Sequence, residues 1–168
     1  NLGRLEELRK INLRLSDPRD LDETAAEKLI AEGKAVICQS MSLHATEIGG
    51  TQMAPELAYD LVSRADEETA RILDNVVFLL VPSFNPDGAV MVYDWYQKTL
   101  GTEYEGSDLP WLYHKYAGHD NNRDAFQTNL VESRYMARLL FRDWIPQAYV
   151  DHHHMGSYGP RIYVPPYA

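Results

Sequence analysis

Apolar residues recur at helical spacing in some segments of the chain and form short continuous runs in others. The helical pattern predicts helices at residues 2–14, 22–32, 55–65, 67–73, 89–98 and 130–143. The continuous runs predict buried strands at residues 35–40 and 76–81, and two further strands are predicted at 147–153 and 161–164. We expect the strongly apolar run at 76–81 to be a central strand covered on both faces.

Segments rich in Gly, Pro and Asn are predicted to lie outside regular structure. Residues 41–54 are expected to form a loop before a helix whose first turn holds Pro55, and residues 85–88 (Asn-Pro-Asp-Gly) to form a turn. Residues 101–128 predict a long irregular loop, a feature that is usually functional inside a compact domain.

Strands and helices alternate along the chain, which favours an α/β fold. We expect a mostly parallel or mixed sheet with helices on both of its faces. The chain shows no internal repeat, low-complexity tract or linker, so residues 1–168 are predicted to form one domain.

Composition narrows the functional classes. The net charge of −9 argues against nonspecific binding to nucleic acid or to an anionic membrane. No stretch approaches the roughly 20 apolar residues that span a bilayer. The single cysteine, Cys38, lies in an apolar run and is expected to be a core residue.

Polar residues cluster just after the predicted strands, where open α/β sheets bind ligands. His44 and Glu47 follow the first strand, and the third ends in three consecutive histidines, residues 152–154. By itself the His-x-x-Glu pair is more typical of a polar surface loop than of a metal site. Three histidines that end a buried strand, however, leave at least one imidazole pointing inward, and a buried imidazole needs polar partners.

These residue types fit a catalytic zinc site. Such a site has three His or Glu ligands and an open fourth position, and a carboxylate near a ligand histidine fixes its tautomer. Residues 120–123 (Asp-Asn-Asn-Arg) add a carboxylate and an arginine, whose planar guanidinium binds carboxylates through two hydrogen bonds.

Taken in order, four motifs resemble the zinc carboxypeptidases of the carboxypeptidase A type: residues 44–47, 85–88, 118–123 and 151–153. The resemblance covers residues 35 to 166. It implies a zinc carboxypeptidase-like (phosphorylase/hydrolase-like) fold and a zinc ion (Zn2+) as cofactor. It also implies a peptide or peptide-like substrate with a free C-terminal carboxylate, and a secreted or periplasmic location.

The resemblance assigns roles to individual residues. It makes His44, Glu47 and His153 the zinc ligands, with their ligand atoms within roughly 4 Å of one another. Strand alternation would place His152 and His154 on the opposite face. The resemblance further implies that Asn122 and Arg123 bind the substrate carboxylate and that Asp120 holds His44.

The chain departs from the family pattern in several places, which include the absence of the tyrosine that closes over the substrate. The family's general-base glutamate lies well downstream of the third ligand, and residues 155–168 contain no Asp or Glu. We therefore expect a partial domain, without its opening strands and its base, and little peptidase activity from these 168 residues alone. No arginine lies between Gly88 and Arg123 to polarise the substrate carbonyl, and Lys98, His114 and Lys115 do not match it by position.

Two alternatives to a carboxypeptidase remain open at this point. One is an amidase or deacylase that uses the same zinc site on a non-protein amide, such as a cell-wall peptide or an N-acyl amino acid. The other is a non-catalytic module that binds metal or carboxylate. The zinc ligands alone do not separate these functions.

Overall fold

The computed structural model describes residues 1–155. The helices are α1 (Leu5–Ser16, after a 3-10 turn at Leu2–Arg4), α2 (Glu23–Glu32), α3 (Ile48–Ser63), α4 (Glu67–Asn75), α5 (Pro86–Thr99) and α6 (Val131–Arg138). A π turn at Leu139–Asp143 extends α6, and a 3-10 turn spans Asn121–Arg123. The strands are β1 (Ala35–Ser40), β2 (Val76–Val81) and β3 (Ala148–Asp151).

The strands form a parallel sheet in the order β2-β1-β3. The predicted α/β class with a parallel sheet is therefore confirmed. Within residues 1–155 the central strand is β1, and β2 lies at the edge, so the expectation of a central β2 was wrong. A continuous apolar run also arises where helices cover an edge strand, and apolar residues of α3 and α4 line a cleft against β2.

The core lies where α1 packs on one face of the sheet. Leu8 of α1 contacts Val36 of β1 and Val77 of β2, which are opposite each other in the strand register. Cys38 is fully buried two residues along β1, as predicted. Residues two apart in a strand point to the same face of the sheet. Val36 and Cys38 therefore lie on the face of β1 that is covered by α1.

Two helices begin earlier than the pattern predicted. Helix α3 starts at Ile48 and contains Pro55 in its interior, although a proline there removes one helical hydrogen bond. Helix α5 starts at Pro86, because the Asn85 side chain accepts a hydrogen bond from the Gly88 N–H (2.9 Å) and caps the helix. The Asn-Pro-Asp-Gly segment is thus a helix start and not a turn.

The stretch 101–128 is irregular apart from the turn at Asn121–Arg123, as predicted. Side-chain amides fasten it to the sheet end of the fold. Asn85 Nδ2 donates to the carbonyl of Tyr113 (2.9 Å), and Asn121 Nδ2 donates to the carbonyl of Leu43 (2.8 Å). The loop therefore crosses the carboxyl end of the sheet, where β1 and β2 stop.

The predicted strand at 161–164 lies outside the described residues. Among residues 1–155, no helix combines the length and the apolar character that a bilayer span requires.

Candidate metal centre

His44, Glu47 and His153 meet at the carboxyl ends of two adjacent parallel strands. His44 follows β1, and His153 follows β3. The N–H of Glu47 donates to the carbonyl of His44 (2.9 Å), and this turn brings both side chains to the same side. Because neighbouring parallel strands end at one edge of the sheet, the chain places His153 against this turn although it is 109 residues from His44.

The three side chains are close enough to bind one metal ion together. His44 Nδ1 lies 2.9 Å from Glu47 Oε1, and His153 Nδ1 lies 3.2 Å from His44 Nδ1. His153 Nδ1 is also 3.2 Å from Glu47 Oε2. One ligand atom from each residue lies within 4.8 Å of the other two. These separations suit donors that surround one ion at bond lengths of about 2.0–2.2 Å.

Two aspartates fix which nitrogen of each histidine faces the centre. His44 Nε2 donates to Asp120 Oδ1 (3.0 Å), and His153 Nε2 donates to Asp151 Oδ2 (2.7 Å). An ionised carboxylate only accepts hydrogen bonds, so the proton of each neutral imidazole stays on Nε2. Both Nδ1 lone pairs then point toward each other and toward the Glu47 carboxylate. The lone pairs and the carboxylate repel one another unless a proton or a metal ion lies among them, and the donor set is one that catalytic zinc sites use.

The electrostatics of the site favour positive charge. Burial alone would lower the pKa of His44, but its hydrogen bonds with Glu47 and Asp120 outweigh burial and raise that pKa. Burial would likewise raise the pKa of Asp120, but hydrogen bonds from the Asn122 N–H, His44 and Tyr113 lower it. Asp120 is therefore ionised at neutral pH, as its role toward the His44 imidazole requires.

The two neighbouring histidines make different contacts. His152 Nε2 lies 3.0 Å from Gln39 Oε1, away from the centre. The backbone N–H of His154 donates to Glu47 Oε2 (2.9 Å), and its Nε2 accepts from the Gly49 N–H (3.1 Å) at the start of α3. Because β3 already ends at Asp151, these contacts, and not strand alternation, separate the three side chains.

Arg123 and Asn122 lie beside the centre, next to Asp120. The Asn122 N–H donates to Asp120 Oδ1 (2.8 Å), and Arg123 Nη2 is 3.5 Å from Asp120 Oδ2. The Arg123 side chain is 68% exposed, so most of its donors face solvent. The 3-10 turn at Asn121–Arg123 thus places the Arg123 guanidinium beside Asp120, the same carboxylate that binds His44.

Two residues of the site, Asp151 and Tyr113, were not predicted from the sequence. Asp151 is the hydrogen-bond partner of His153, and its position two residues before that histidine was an available signal. The Tyr113 hydroxyl donates to Asp120 Oδ1 (3.1 Å), and the ring meets His44 edge-on at 5.3 Å between centroids. No local pattern marks Tyr113, because the path of the long loop brings it there.

Two of the cationic candidates for the missing arginine, His114 and Lys98, contact residues away from the centre. His114 is 5% exposed, and its Nε2 lies 3.7 Å from Glu132 Oε2. The Lys98 ammonium lies 5.8 Å from the Trp95 ring centroid. Both side chains therefore contact residues outside the candidate metal centre.

Comparison with known proteins agrees with this geometry. The family model Peptidase_M14, zinc carboxypeptidase, matches residues 13–163, which is most of the chain. No curated protein and no solved structure gives a significant match. The matched region contains the His44, Glu47 and His153 cluster and the Arg123 loop. The chain therefore belongs to the zinc carboxypeptidase family.

Proposed function

We propose that this protein is a zinc-dependent carboxypeptidase that hydrolyses the C-terminal peptide bond of its substrate. Membership of the zinc carboxypeptidase family supports a hydrolase of this kind. The observation that carries the proposal is the convergence of His44 Nδ1, His153 Nδ1 and the Glu47 carboxylate within 2.9–3.2 Å. Two imidazole nitrogens and a carboxylate that approach one another this closely support a metal site.

The roles of the chain's residues follow from their contacts. His44, Glu47 and His153 would hold zinc, and Asp120 and Asp151 keep the two imidazoles in the ligating tautomer. Zinc held there supplies Lewis-acid polarisation of a carbonyl and of a water molecule. The general base is not assigned to a described residue, and its location outside these 168 residues stays a prediction.

Arg123 and Asn122 support the choice of a C-terminal bond. The Arg123 guanidinium is mostly exposed and makes a long 3.5 Å contact with Asp120, so it is available to a ligand. A planar guanidinium binds a carboxylate through two parallel hydrogen bonds. Because Asp120 also binds His44, a terminal carboxylate held at Arg123 would place the last peptide bond near the centre.

Zinc binding by histidine variants tests the metal assignment. We expect the wild-type protein to bind one equivalent of zinc. Removal of a residue that only hydrogen-bonds to a ligand lowers metal affinity by up to roughly 100-fold. His153→Ala should lower zinc affinity by more than that, since it removes a ligand itself. His152→Ala is the matched control, because this neighbour contacts Gln39 and should leave binding unchanged. Chelator competition measures the zinc affinity of each protein. Equal zinc affinity of wild type and His153→Ala would contradict the proposed metal centre.

Paired substrates test the carboxylate anchor. In protein expressed from the complete reading frame, Arg123→Ala should lower kcat/KM about 100-fold for peptides with a free C-terminus. A bound substrate would bury the pair between its carboxylate and Arg123, and truncating one partner of a buried, hydrogen-bonded charge pair costs about 2–5 kcal/mol. The same peptides with an amidated C-terminus should lose little. Arg71→Ala, on the exposed surface of α4, is the control. Equal losses on both substrates would favour the amidase or deacylase reading.

A further inference from the structure

A chain of hydrogen bonds runs from Tyr149 to His153 behind the candidate metal centre. The Tyr149 hydroxyl lies 2.7 Å from Ser40 Oγ, and Ser40 Oγ donates to Asp151 Oδ1 (2.7 Å). The other oxygen of Asp151 accepts from His153 Nε2 (2.7 Å). The chain therefore links a phenol on β3 to a proposed ligand through three successive bonds.

The direction of this chain follows from the groups in it. The carboxylate of Asp151 only accepts, so the single Ser40 proton must point to Asp151. Ser40 Oγ is then left as an acceptor, and the Tyr149 O–H must donate to it. Burial raises the pKa of Tyr149 to about 12, so its proton remains in place at neutral pH.

Burial and strand pairing hold these groups rigidly. Ser40 is fully buried at the end of β1 and pairs in register with Asp151 of β3. Tyr149 is 38% exposed overall, but its hydroxyl ends against Ser40. The Asp151 side chain is 20% exposed, and the buried Ser40 hydroxyl beside it on the neighbouring strand orients its carboxylate.

We propose that Ser40 and Tyr149 are positioning residues that orient Asp151 so that His153 presents its Nδ1 to the metal. This inference rests on the proposed function, because it needs His153 to be a ligand. The same arrangement holds His44, since Asp120 accepts hydrogen bonds both from His44 and from the Tyr113 hydroxyl. Each histidine is thus held by a carboxylate, and each carboxylate by a hydroxyl.

Zinc affinity of hydroxyl-deletion variants tests the proposal. Ser40→Ala should lower zinc affinity about 10-fold, within the range for loss of an outer partner. Tyr149→Phe should have a smaller effect, because it leaves the Ser40–Asp151 bond intact. The visible spectrum of the cobalt-loaded protein should change in Ser40→Ala, since the orientation of a ligand changes. Ser83→Ala is the matched control: its Oγ is buried without a hydrogen-bond partner among residues 1–155, so its loss should leave zinc affinity unchanged.

The outcomes separate this inference from the metal assignment. A folded Ser40→Ala variant with wild-type zinc affinity and an unchanged cobalt spectrum would overturn the positioning role of Ser40. In that case, zinc binding by the wild-type protein and loss of zinc binding in His153→Ala would still support the metal centre. If Ser40→Ala fails to fold, Tyr149→Phe decides: reduced affinity supports the inference and wild-type affinity overturns it. A wild-type protein that binds no zinc would overturn both.

Discussion

At the scale of single residues, the segment that bears Arg123 is anchored by its neighbour Asp124, which is fully buried. The Asp124 carboxylate accepts from the backbone N–H groups of Asn129 (3.1 Å) and Leu130 (2.9 Å), just before α6. Burial alone would raise the pKa of Asp124, but these hydrogen bonds and one from Ser133 outweigh it and lower that pKa. One carboxylate thus ties the Asn122–Arg123 turn to the start of a helix.

Replacing Asp124 by Asn should destabilise the protein. We expect a loss of roughly 2–4 kcal/mol at pH 7, because hydrogen bonds to charged groups contribute about 1.5–3 kcal/mol each. A lowered native pKa gives stability that is present above the ordinary Asp value of about 4 and is lost as pH falls through the native value. The gap between wild type and Asp124→Asn should therefore shrink below pH ~4. Denaturant unfolding at several pH values measures this gap.

The control for that experiment is Asp108→Asn in the exposed part of the loop. Its free energy of unfolding should differ from wild type by less than about 0.5 kcal/mol. An Asp124→Asn gap that stayed constant from pH 7 to pH 3 would contradict the ionised, hydrogen-bonded role of this carboxylate.

At the scale of elements, the long loop reaches the metal centre because it packs against the start of α5. Gly88, in the first turn of α5, lies directly under the loop. A methyl group on it would lie 2.2 Å from the carbonyl oxygen of Tyr113 and 2.8 Å from the Cβ of Ala45. The absence of a side chain at this position therefore allows the loop to place Tyr113 beside Asp120 and His44.

Gly88→Ala should move the loop and weaken the site. Because the clash is with backbone that cannot rotate away, we expect a loss of about 1–3 kcal/mol in the free energy of unfolding. Zinc affinity should fall as well, since Tyr113 shifts away from Asp120. Gly118→Ala, in the same loop but with open space around it, should leave both quantities unchanged. Thermal unfolding and chelator competition give the two values, and a Gly88→Ala protein that matches Gly118→Ala in both would disprove this packing.

At the scale of the whole molecule, the centre joins parts of the chain that are distant in sequence. His153 is 109 residues from His44, and Asp120 is 76 residues from it. An ion bound by His44, Glu47 and His153 binds the folded protein and not the unfolded chain. Metal binding should therefore be coupled to the stability of the whole fold.

Zinc should raise the melting temperature of the wild-type protein and not that of His153→Ala. At a free zinc concentration about 1,000 times Kd, linkage gives about 4 kcal/mol of added stability. For a chain of this size that corresponds to an increase in Tm of roughly 8–16 °C. Differential scanning calorimetry with zinc and then with excess chelator measures the shift. An equal shift in both proteins would mean that zinc acts at a different site.

The sequence by itself determined the local structure and the chemical groups of this protein. The runs at Ala35–Ser40 and Val76–Val81 defined two strands to the residue, because continuous apolar character is a local property of the chain. The pairing of His44 with Glu47 was also readable, since one turn brings residues three apart together. The ordered motifs carried the family assignment, which the match over residues 13–163 confirms.

Which of these groups meet depends on how distant segments pack in the folded chain. Periodicity tells which face of a strand is buried but not which strand lies next to it, so the central place of β1 was not predictable. The same strand order brings the end of β3, and with it His153, to His44, and it aligns Ser40 with Asp151. Tyr113 reaches Asp120 only because the loop packs on Gly88. Each of these contacts depends on strand register and packing between distant segments, which local sequence patterns do not encode.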